Sequence, residues 1–371
     1  MENIGVSFIP PPYPYDRLAP IIAAAAQHEG GAIECSIGTP CDPPPQVALD
    51  ALAQSSSHRG YPMSFGSENF RHAASGWVQR RFGVTLELDD LAACVGTKEF
   101  VASLAQYLHL RDESRDTILF PAISYPTYAM SAQLASLRAV PVRMENGRLD
   151  LDSISPDDRR RALILWSNSP SNPTGQLDDL AAAAAWGREH GVLVASDECY
   201  SEFTWASAPQ SILQHGLDGV LAVHSISKRS NLAGVRAGFY AGDRDVVSFL
   251  RSIRQHAGLM VPGPVQEAVA AAYRDDEHVA AQRAIYQHRL HLVREALNAA
   301  GVVTPEPQGT FYLWGRGSED DGFATAQMLA ERSGLVVSPG ELYGEAGRPF
   351  VRVAVVQPDE RLERAASRLV A

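Results

Sequence analysis

The amino-acid sequence predicts an α/β protein, with a three-layer αβα domain around a parallel sheet and a smaller α+β domain. Across residues 42–262, short apolar runs alternate with helical patterns, which is typical of a parallel sheet covered by helices on both faces. Several of these runs end in clusters of Ser, Asn, Asp and Gly, at the strand ends where open α/β sheets bind ligands. Beyond Pro264, a long helical stretch precedes several separate strands, which favours a second unit.

The 371 residues are enough for two hydrophobic cores of unequal size. We predict a large domain over residues 42–264 and a small C-terminal domain over residues 265–371, with residues 1–41 as an N-terminal segment that joins the small domain. No clear linker separates these parts, so the boundaries depend on the change of pattern alone.

The apolar runs define the main strands. In chain order, we predict strands over residues 162–166, 192–196, 219–223, 310–314, 335–338 and 350–356. A helix is predicted between the first two runs, because Asp178 and Asp179 suit its N-terminus and Gly191 suits its C-cap. The chain is predicted to close on a helix whose apolar side chains share one face, namely Leu362, Ala365, Ala366 and Leu369.

The composition argues against several classes of protein. A net charge of −11 disfavours nucleic acid or an anionic membrane as a partner. No apolar run approaches the length of a membrane span, and no basic region precedes an apolar stretch at the start, so we expect a cytoplasmic protein without a signal peptide. The 4 cysteines show no C-x-x-C spacing, so neither a metal site nor a disulfide framework is expected.

The most informative segment covers residues 219–238. Lys228 follows an apolar run and hydroxyl side chains, and Arg236 stands eight residues further on. A lysine at such a strand end can form a Schiff base with an aldehyde cofactor, while Ser225 and Arg236 supply donors for a phosphate. The alternative is a polar loop whose lysine is simply solvated.

Three other segments offer groups for the same chemistry. Asp197 ends an apolar run, where a carboxylate can pair with a protonated pyridine nitrogen, and Tyr200 can then reach the phenolic oxygen of the ring. A carboxylate that caps the next helix is an equally common alternative for Asp197. Asn172 lies in an Asn-Pro-Thr-Gly turn that presents its side chain inward. Gly96 and Thr97 open a helical stretch whose free backbone N–H groups suit a phosphate.

In this order, the four segments closely resemble the fold type I pyridoxal phosphate (PLP) enzymes of the aspartate aminotransferase superfamily. The resemblance covers almost the whole chain, and its further motifs lie at residues 36–40, 61–71, 124–126 and 350–353. It implies the type I PLP-dependent transferase fold, PLP as the cofactor, and an aminotransferase that uses amino acid and 2-oxo acid substrates. The agreement of many motifs in register makes this resemblance far more specific than any single motif.

The resemblance also implies a role for each site residue. Lys228 would hold PLP and move the proton, Asp197 would keep the pyridine nitrogen protonated, and Tyr200 and Asn172 would bind the ring oxygen. The remaining cofactor contacts would come from Tyr125 on the ring face and, at the phosphate, from Ser225, Arg236, Gly96, Thr97 and Lys98. Tyr61 would reach the phosphate of a neighbouring subunit, so a homodimer with shared active sites is implied.

Arg352 is the candidate for the α-carboxylate of the substrate. It shares one face of its predicted strand with Phe350, Ala354 and Val356, and an unpaired arginine among apolar neighbours is costly. A structural ion pair with a protein carboxylate would remove that cost. In the family that this chain resembles, an arginine on this late strand clamps the substrate α-carboxylate instead, while the segment of Gly38 approaches it with its backbone. Asn172 would also contact the substrate.

Longer stretches are similar to the actinobacterial-type succinyldiaminopimelate transaminases, at residues 15–20, 223–234 and 256–262. This similarity implies transamination of N-succinyl-LL-2,6-diaminopimelate with 2-oxoglutarate or glutamate, in the succinylase route to diaminopimelate and lysine. The segment before Arg71 departs from the commoner Gly-x-x-x-Leu-Arg motif, because Phe70 stands in place of the leucine. Lys98, one of only two lysines, would extend toward the distal carboxylate of this substrate, unless it is solvated and paired with Glu99.

Other functions stay open at this point. The chain could transaminate another dicarboxylic or an aromatic amino acid, or act as a PLP-dependent carbon–sulfur β-lyase, since the cofactor supplies the shared chemistry. A nicotinamide oxidoreductase is disfavoured because no Gly-x-Gly-x-x-Gly motif follows a strand. A non-catalytic PLP-fold sensor usually needs an attached DNA-binding segment, for which this acidic chain has no room.

Overall fold

The structure, a computed structural model, describes residues 11–371, so the first ten residues of the predicted N-terminal segment lie outside it. The strands in the described part are β1 (Ile33–Glu34), β2 (Leu91–Cys94), β3 (Thr117–Pro121), β4 (Arg138–Val142), β5 (Met144–Glu145), β6 (Arg148–Leu149), β7 (Ala162–Asn168), β8 (Leu193–Asp197), β9 (Val220–Ser225), β10 (Gly238–Gly242), β11 (Tyr312–Arg316), β12 (Leu335–Val336), β13 (Ser338–Pro339) and β14 (Phe350–Ala354). The α-helices are α1 (Ala19–Ala25), α2 (Gln46–Gln54), α3 (Glu68–Phe82), α4 (Thr97–Arg111), α5 (Thr127–Leu134), α6 (Pro156–Arg161), α7 (Leu180–His190), α8 (Ile226–Arg229), α9 (Arg244–His256), α10 (Gly263–Arg274), α11 (Glu277–Ala299), α12 (Gly322–Ser333) and α13 (Asp359–Val370).

The largest sheet within residues 11–371 has 7 strands in the order β2-β10-β9-β8-β7-β3-β4. Strands β9, β8, β7, β3 and β4 pair in parallel, whereas β10 is antiparallel to both β9 and β2. The sheet is therefore mixed: the sequence predicts a parallel sheet, and this prediction is wrong for β10, the strand next to the edge strand β2. The connection from β9 to β10 contains the single-turn helix α8 and a 3-10 helix at Ala233–Val235, but no long crossover helix of the kind that usually joins parallel strands.

Helices cover both faces of this sheet, which confirms the predicted αβα fold class. Neighbouring residues of a strand point to opposite faces, so on β7 Leu165 and Ile164 belong to different hydrophobic cores. One core is completed by α3, α7 and α10, for example by Trp77 of α3. The other is completed by α4, α5 and α9, for example by Phe100 of α4. The strand ends that the sheet presents between these layers are the predicted ligand-binding edge.

The predicted helix before β8 is confirmed as α7. The Asp179 side chain caps it by accepting a hydrogen bond from the Ala182 N–H at 2.9 Å, and Gly191 ends it with a left-handed φ of 60°. Asp178 does not cap the helix. It is buried and accepts the Ser167 hydroxyl at 2.6 Å, which ties the start of α7 to β7.

The C-terminal part forms a third hydrophobic core together with the N-terminal segment. The antiparallel sheet β11-β14-β13 and the parallel pair β1-β12 hold this part together. Leu18 and Ile21 share a core with Leu290 of α11 and Leu362 of α13. The predicted run at 335–338 divides into β12 and β13, which pair with different strands. Because the segment before α2 packs on this core, we propose the division at residues 41/42. The predicted division at residues 264/265 falls inside α10, whose Val269 and Tyr273 pack in the core of the large sheet, so we propose that the second division lies after α10.

Arg289 of α11 joins the N-terminal segment to the last helix. Its guanidinium donates to both carboxylate oxygens of Asp42, at 2.6 and 2.8 Å, and to Asp359 Oδ1 at 2.6 Å. The Arg289 side chain is only 4% exposed, so its charge depends on these partners. Within residues 11–371, no helix combines the length and apolarity needed to cross a bilayer.

We predict that Arg289→Met lowers the free energy of unfolding by about 3 kcal/mol, because it leaves the Asp42 carboxylate without its partner. Urea unfolding of the purified protein measures this change. Arg160→Met is the matched control, since Arg160 forms an exposed pair with Asp157 and such pairs contribute less than about 1 kcal/mol. Equal losses in the two variants would contradict the assigned role of Arg289.

Candidate active site

A cavity of about 400 Å³ lies at the carboxyl ends of β7, β8 and β9. The large sheet supplies Asn168, Asp197 and Ser225, each the last residue of its strand. Tyr312 of β11 and Arg352 of β14 close the opposite side, so the cavity lies between the large sheet and the C-terminal core. This is the edge at which the sequence predicts a ligand-binding site.

The structure brings most of the predicted site residues to this one cavity. Those that line it are Gly38, Thr97, Lys98, Tyr125, Asn172, Asp197, Tyr200, Ser225, Lys228, Arg236 and Arg352. Gly96 does not line the cavity but lies directly behind Arg236. Tyr61 is not brought to the cavity, because its side chain is 99% exposed and belongs to a separate surface depression with Met63.

Lys228 projects into the cavity from α8, a single helical turn whose N-terminus is capped by the Ser225 hydroxyl oxygen, which accepts the Ser227 N–H. Its ammonium donates a hydrogen bond to the carbonyl oxygen of Gly38. Burial, and secondly the nearby positive charge of Arg352, lower the pKa of Lys228 to about 8. A larger fraction of this amine is therefore neutral and nucleophilic near pH 7 than for an ordinary lysine.

Asp197 is a buried carboxylate at the end of β8. Its Oδ2 accepts the Tyr128 hydroxyl at 2.9 Å, and its Oδ1 accepts the Cys199 backbone N–H at 3.2 Å. Burial raises the pKa of Asp197, although these hydrogen bonds act in the opposite direction. No arginine or lysine among the described residues pairs with it, so a positively charged group of a ligand would complete its surroundings.

The other end of the cavity is rich in hydrogen-bond donors. The 15-residue helix α4 begins there at Thr97, with its free backbone N–H groups. Ser225 accepts the Ser227 N–H, so its own hydroxyl hydrogen is free to donate. Gly96 has a φ of 76°, and an added Cβ would collide with the guanidinium of Arg236. A helix N-terminus, a hydroxyl and a guanidinium together fit a phosphate group.

Arg352 is 2% exposed and has no carboxylate partner among the described residues. It donates to Asn172 Oδ1 at 2.7 Å and to the carbonyl oxygen of Ser36, and its guanidinium lies 4.1 Å from the centre of the Tyr312 ring. Its Nε has no acceptor. The structural ion pair considered from the sequence is therefore not what the fold provides, and a ligand carboxylate would satisfy this charge.

Tyr200 and Lys98 have partners that the sequence does not reveal. The Tyr200 hydroxyl lies 2.7 Å from the Tyr312 hydroxyl at the cavity wall. Glu99, the expected partner of Lys98, is instead held by Arg254 through bonds of 2.6 and 3.0 Å. The Lys98 ammonium lies 5.4 Å from the centre of the Tyr13 ring, at the edge of the cavity.

Sequence reasoning missed Tyr128, Tyr312 and Asn168. Tyr128 follows the Ser-Tyr-Pro motif by two residues, so a search for hydroxyls beside that motif could have found it. Tyr312 stands in an apolar run, and only the fold shows that its hydroxyl meets Tyr200. Asn168 positions the predicted turn, because its Oδ1 accepts the Asn172 N–H at 2.7 Å. In residues 11–371 no cluster of His, Cys, Asp and Glu side chains suits a metal ion.

A family model, two related sequences and a solved structure each match this chain, and each is described as an aminotransferase or a transaminase. The family model described as aminotransferase class I and II matches residues 32–369. The chain is 41% identical to the 4-dedimethylamino-4-oxo-anhydrotetracycline transaminase OxyQ of Streptomyces rimosus, over 97% of this chain and 99% of that protein. It is 32% identical to the LL-diaminopimelate aminotransferase of Aquifex aeolicus, over 97% and 96% of the two chains.

The fold matches solved structures closely. One is described as a probable N-succinyldiaminopimelate aminotransferase from Thermus thermophilus, with a TM-score of 0.87 and 30% sequence identity. The superposition covers 96% of this chain and 99% of that chain. The likeness therefore extends over nearly the whole length of both chains.

We predict that Lys228 reacts with amine reagents at unusually low pH. Only the neutral amine is nucleophilic, so acetylation of Lys228 by trace acetic anhydride should rise with pH through a midpoint of about 8 in protein freed of bound small molecules. Mass spectrometry of the peptide that contains Lys228 measures this rate, with N-acetyl-lysine in the same tube as the reference. A midpoint near that of the reference would contradict the lowered pKa.

Proposed function

This chain belongs to the class I and II aminotransferases, whose cofactor is PLP, and we propose that it transfers the amino group of N-succinyl-LL-2,6-diaminopimelate to 2-oxoglutarate. The observation that supports this substrate is the placement of two cationic side chains, Arg352 and Lys98, in the lining of one cavity. A substrate with an α-carboxylate and a second, distant carboxylate fits that pair. Similarity to aminotransferases named for diaminopimelate and its succinyl derivative agrees with this proposal.

The cavity fits PLP at each of its polar groups. We propose that Asp197 pairs with the ring nitrogen, that Lys228 binds the aldehyde carbon, and that Ser225, Arg236 and the α4 N-terminus hold the phosphate. Tyr125 would lie on the ring face, with Tyr200 and Asn172 at the ring oxygen. Bound PLP supplies an aldehyde that takes up the amino group and a ring that withdraws electrons from the reacting carbon.

Lys228 is proposed as the group that moves the proton. When its amine is free and neutral, Nζ can accept the proton of the substrate α-carbon as a general base and then return it as a general acid. A pKa of about 8 suits both directions near neutral pH. The carbonyl oxygen of Gly38 accepts a hydrogen bond from this amine, so the N-terminal segment helps to aim it.

Arg352 and Asn172 are proposed to orient the substrate. The Arg352 guanidinium already donates to Asn172 Oδ1, so its direction is fixed before a carboxylate arrives. Tyr312 packs against the guanidinium at 4.1 Å and prevents it from turning away. A carboxylate held by Arg352 would therefore place the substrate amine toward Lys228 across the same cavity.

A second candidate substrate is a large aromatic compound. The relative from Streptomyces rimosus is named as a transaminase of 4-dedimethylamino-4-oxo-anhydrotetracycline and is 41% identical to this chain. Six tyrosines line the cavity, and three of them could pack on an aromatic substrate: Tyr13, Tyr15 and Tyr125. A carbon–sulfur β-lyase would use the same cofactor. It differs from both transamination candidates in its product, because it releases pyruvate from a substrate such as cystathionine.

The identity of the amino donor tests the proposed substrate. With PLP-loaded enzyme and 2-oxoglutarate, we expect succinyldiaminopimelate to give a kcat/KM at least about 10-fold above that of LL-diaminopimelate, aspartate or phenylalanine, the size of one charge-assisted contact. Glutamate formation measured by coupled assay decides the comparison. Highest activity with phenylalanine would favour the aromatic candidate, and pyruvate released from cystathionine would favour the β-lyase.

Substitution of Lys98 tests its proposed contact with the distal carboxylate of the substrate. Lys98→Ala should raise KM for the succinylated substrate about 10-fold, because one charge-assisted contact to the distal carboxylate is lost. The reaction with norleucine, which has no charge at its far end, should change little. Lys98→Arg is the matched variant that keeps the charge. Equal losses for both substrates would show that Lys98 serves the cofactor phosphate instead.

We also propose that two copies of the chain form a homodimer in which Tyr61 reaches the phosphate of the neighbouring active site. Tyr61 and Met63 are 99% and 52% exposed in the single chain, so a large aromatic side chain has no contact there. Tyr61→Phe should weaken PLP binding about 10-fold without changing the mass measured by sedimentation, which should equal two chains. A monomeric mass, or unchanged PLP affinity, would refute this arrangement.

A further inference from the structure

Two active-site residues have neighbours in the chain that point away from the cavity and meet each other. Lys228 and Tyr200 line the cavity, whereas Arg229 and Glu202 do not. Both of these hidden residues are 2% exposed. Arg229 Nε donates to Glu202 Oε1 at 3.0 Å, so an ion pair lies directly behind the segments that carry the reactive amine and the phenol.

The guanidinium of Arg229 uses its full set of donors. Besides Glu202, it donates through Nη1 to the Ala272 carbonyl at 2.7 Å and to the Ser230 hydroxyl at 3.2 Å. Through Nη2 it donates to the Asp275 carbonyl and to Asp276 Oδ1, both at 3.1 Å. A guanidinium has five N–H donors in a fixed plane, so its position here is fully determined.

Glu202 is held just as firmly. Its Oε1 also accepts the indole N–H of Trp77 at 2.8 Å, and Arg81 forms an ion pair with it. The rings of Trp77 and Tyr273 lie 5.7 and 5.3 Å from the Arg229 guanidinium and exclude water from the pair. Charges in such surroundings interact strongly, and neither residue of the pair can move without breaking several contacts.

The helix α8 that carries Lys228 has four residues and cannot be stable by its own hydrogen bonds. Its placement must come from contacts with the rest of the protein. Arg229 provides these contacts in two directions, to the segment of Tyr200 through Glu202 and to the end of α10 through Ala272 and Asp275. The junction of α10 and α11 is where the large-sheet unit meets the C-terminal core.

We propose that the Arg229–Glu202 pair is a positioning device that fixes the Lys228 amine relative to the Tyr200 hydroxyl. The pair touches neither substrate nor cofactor and acts through the backbone of both segments. This inference rests on the proposed role of Lys228, but it does not depend on which amino donor is the natural one. A displacement of about 1 Å at a reacting group can lower a rate about 100-fold. Loss of the pair can therefore lower the reaction rate strongly even if Lys228 moves only slightly.

The test is Arg229→Met in the PLP-loaded enzyme, assayed with the best donor of the panel. We expect kcat to fall about 10- to 100-fold while KM changes less than about threefold, because binding groups such as Arg352 are untouched. The pH midpoint of the visible absorbance band of the holoenzyme should shift as well, since that band reports the surroundings of Lys228. Arg80→Met is the control, because Arg80 bonds to Asp276 and to the Tyr273 carbonyl nearby but is largely exposed.

A mutant cycle shows whether the two residues act together. If Arg229 works through Glu202, the double variant Arg229→Met, Glu202→Gln should lose no more kcat than the more damaged single variant. If Arg229→Met does not fold, Arg229→Lys carries the same test, since an ammonium cannot replace the planar fork. A lower melting temperature with unchanged kcat and absorbance midpoint would overturn the proposal. Because each readout compares variants on one donor, its failure is separate from failure of the proposed substrate.

Discussion

The constraint on which the site depends is the burial of charge without protein counter-charge. Lys228 and Arg352 both lie in the lining of one cavity, and Asp197 faces it from the end of β8. Burial lowers the pKa of Lys228 and raises that of Asp197, so in each case burial disfavours the charged form of the side chain. Each charge would be satisfied by a ligand group of the opposite charge, so the cavity is arranged for a bound cofactor and an anionic substrate.

Each of these buried charged groups is held in place by a different structural element. Asp197 and the turn that carries Lys228 follow neighbouring strands of the large sheet, whereas Arg352 lies on β14 of the C-terminal sheet. Hydrogen bonds from Arg352 to Asn172 and to Ser36 then join the large sheet, the N-terminal segment and the C-terminal sheet at one point. The large and small units are therefore coupled through the side chain that is proposed to bind substrate.

Local patterns predicted much of the site because parallel strands end at the same edge of a sheet. Asp197 and Lys228 could be placed together from two apolar runs, and α7 could be placed from its caps. Contacts between distant segments could not be predicted in this way. The Tyr200–Tyr312 hydrogen bond joins residues 112 positions apart, and the antiparallel pairing of β10 with β9 is likewise a contact that the local pattern of either strand does not reveal. Tyr61 stays a prediction, because a single chain cannot show a contact with a neighbouring subunit.

The central claim is that Lys228 is the residue to which PLP attaches, and the two-lysine composition makes it simple to test. The PLP-loaded enzyme is reduced with borohydride, digested and mapped by mass spectrometry. We expect one pyridoxyl group per chain, on Lys228, and an unmodified Lys98. A pyridoxyl group on Lys98 with Lys228 unmodified would contradict the account, because the buried amine beside Gly38 would then have no part in holding the cofactor.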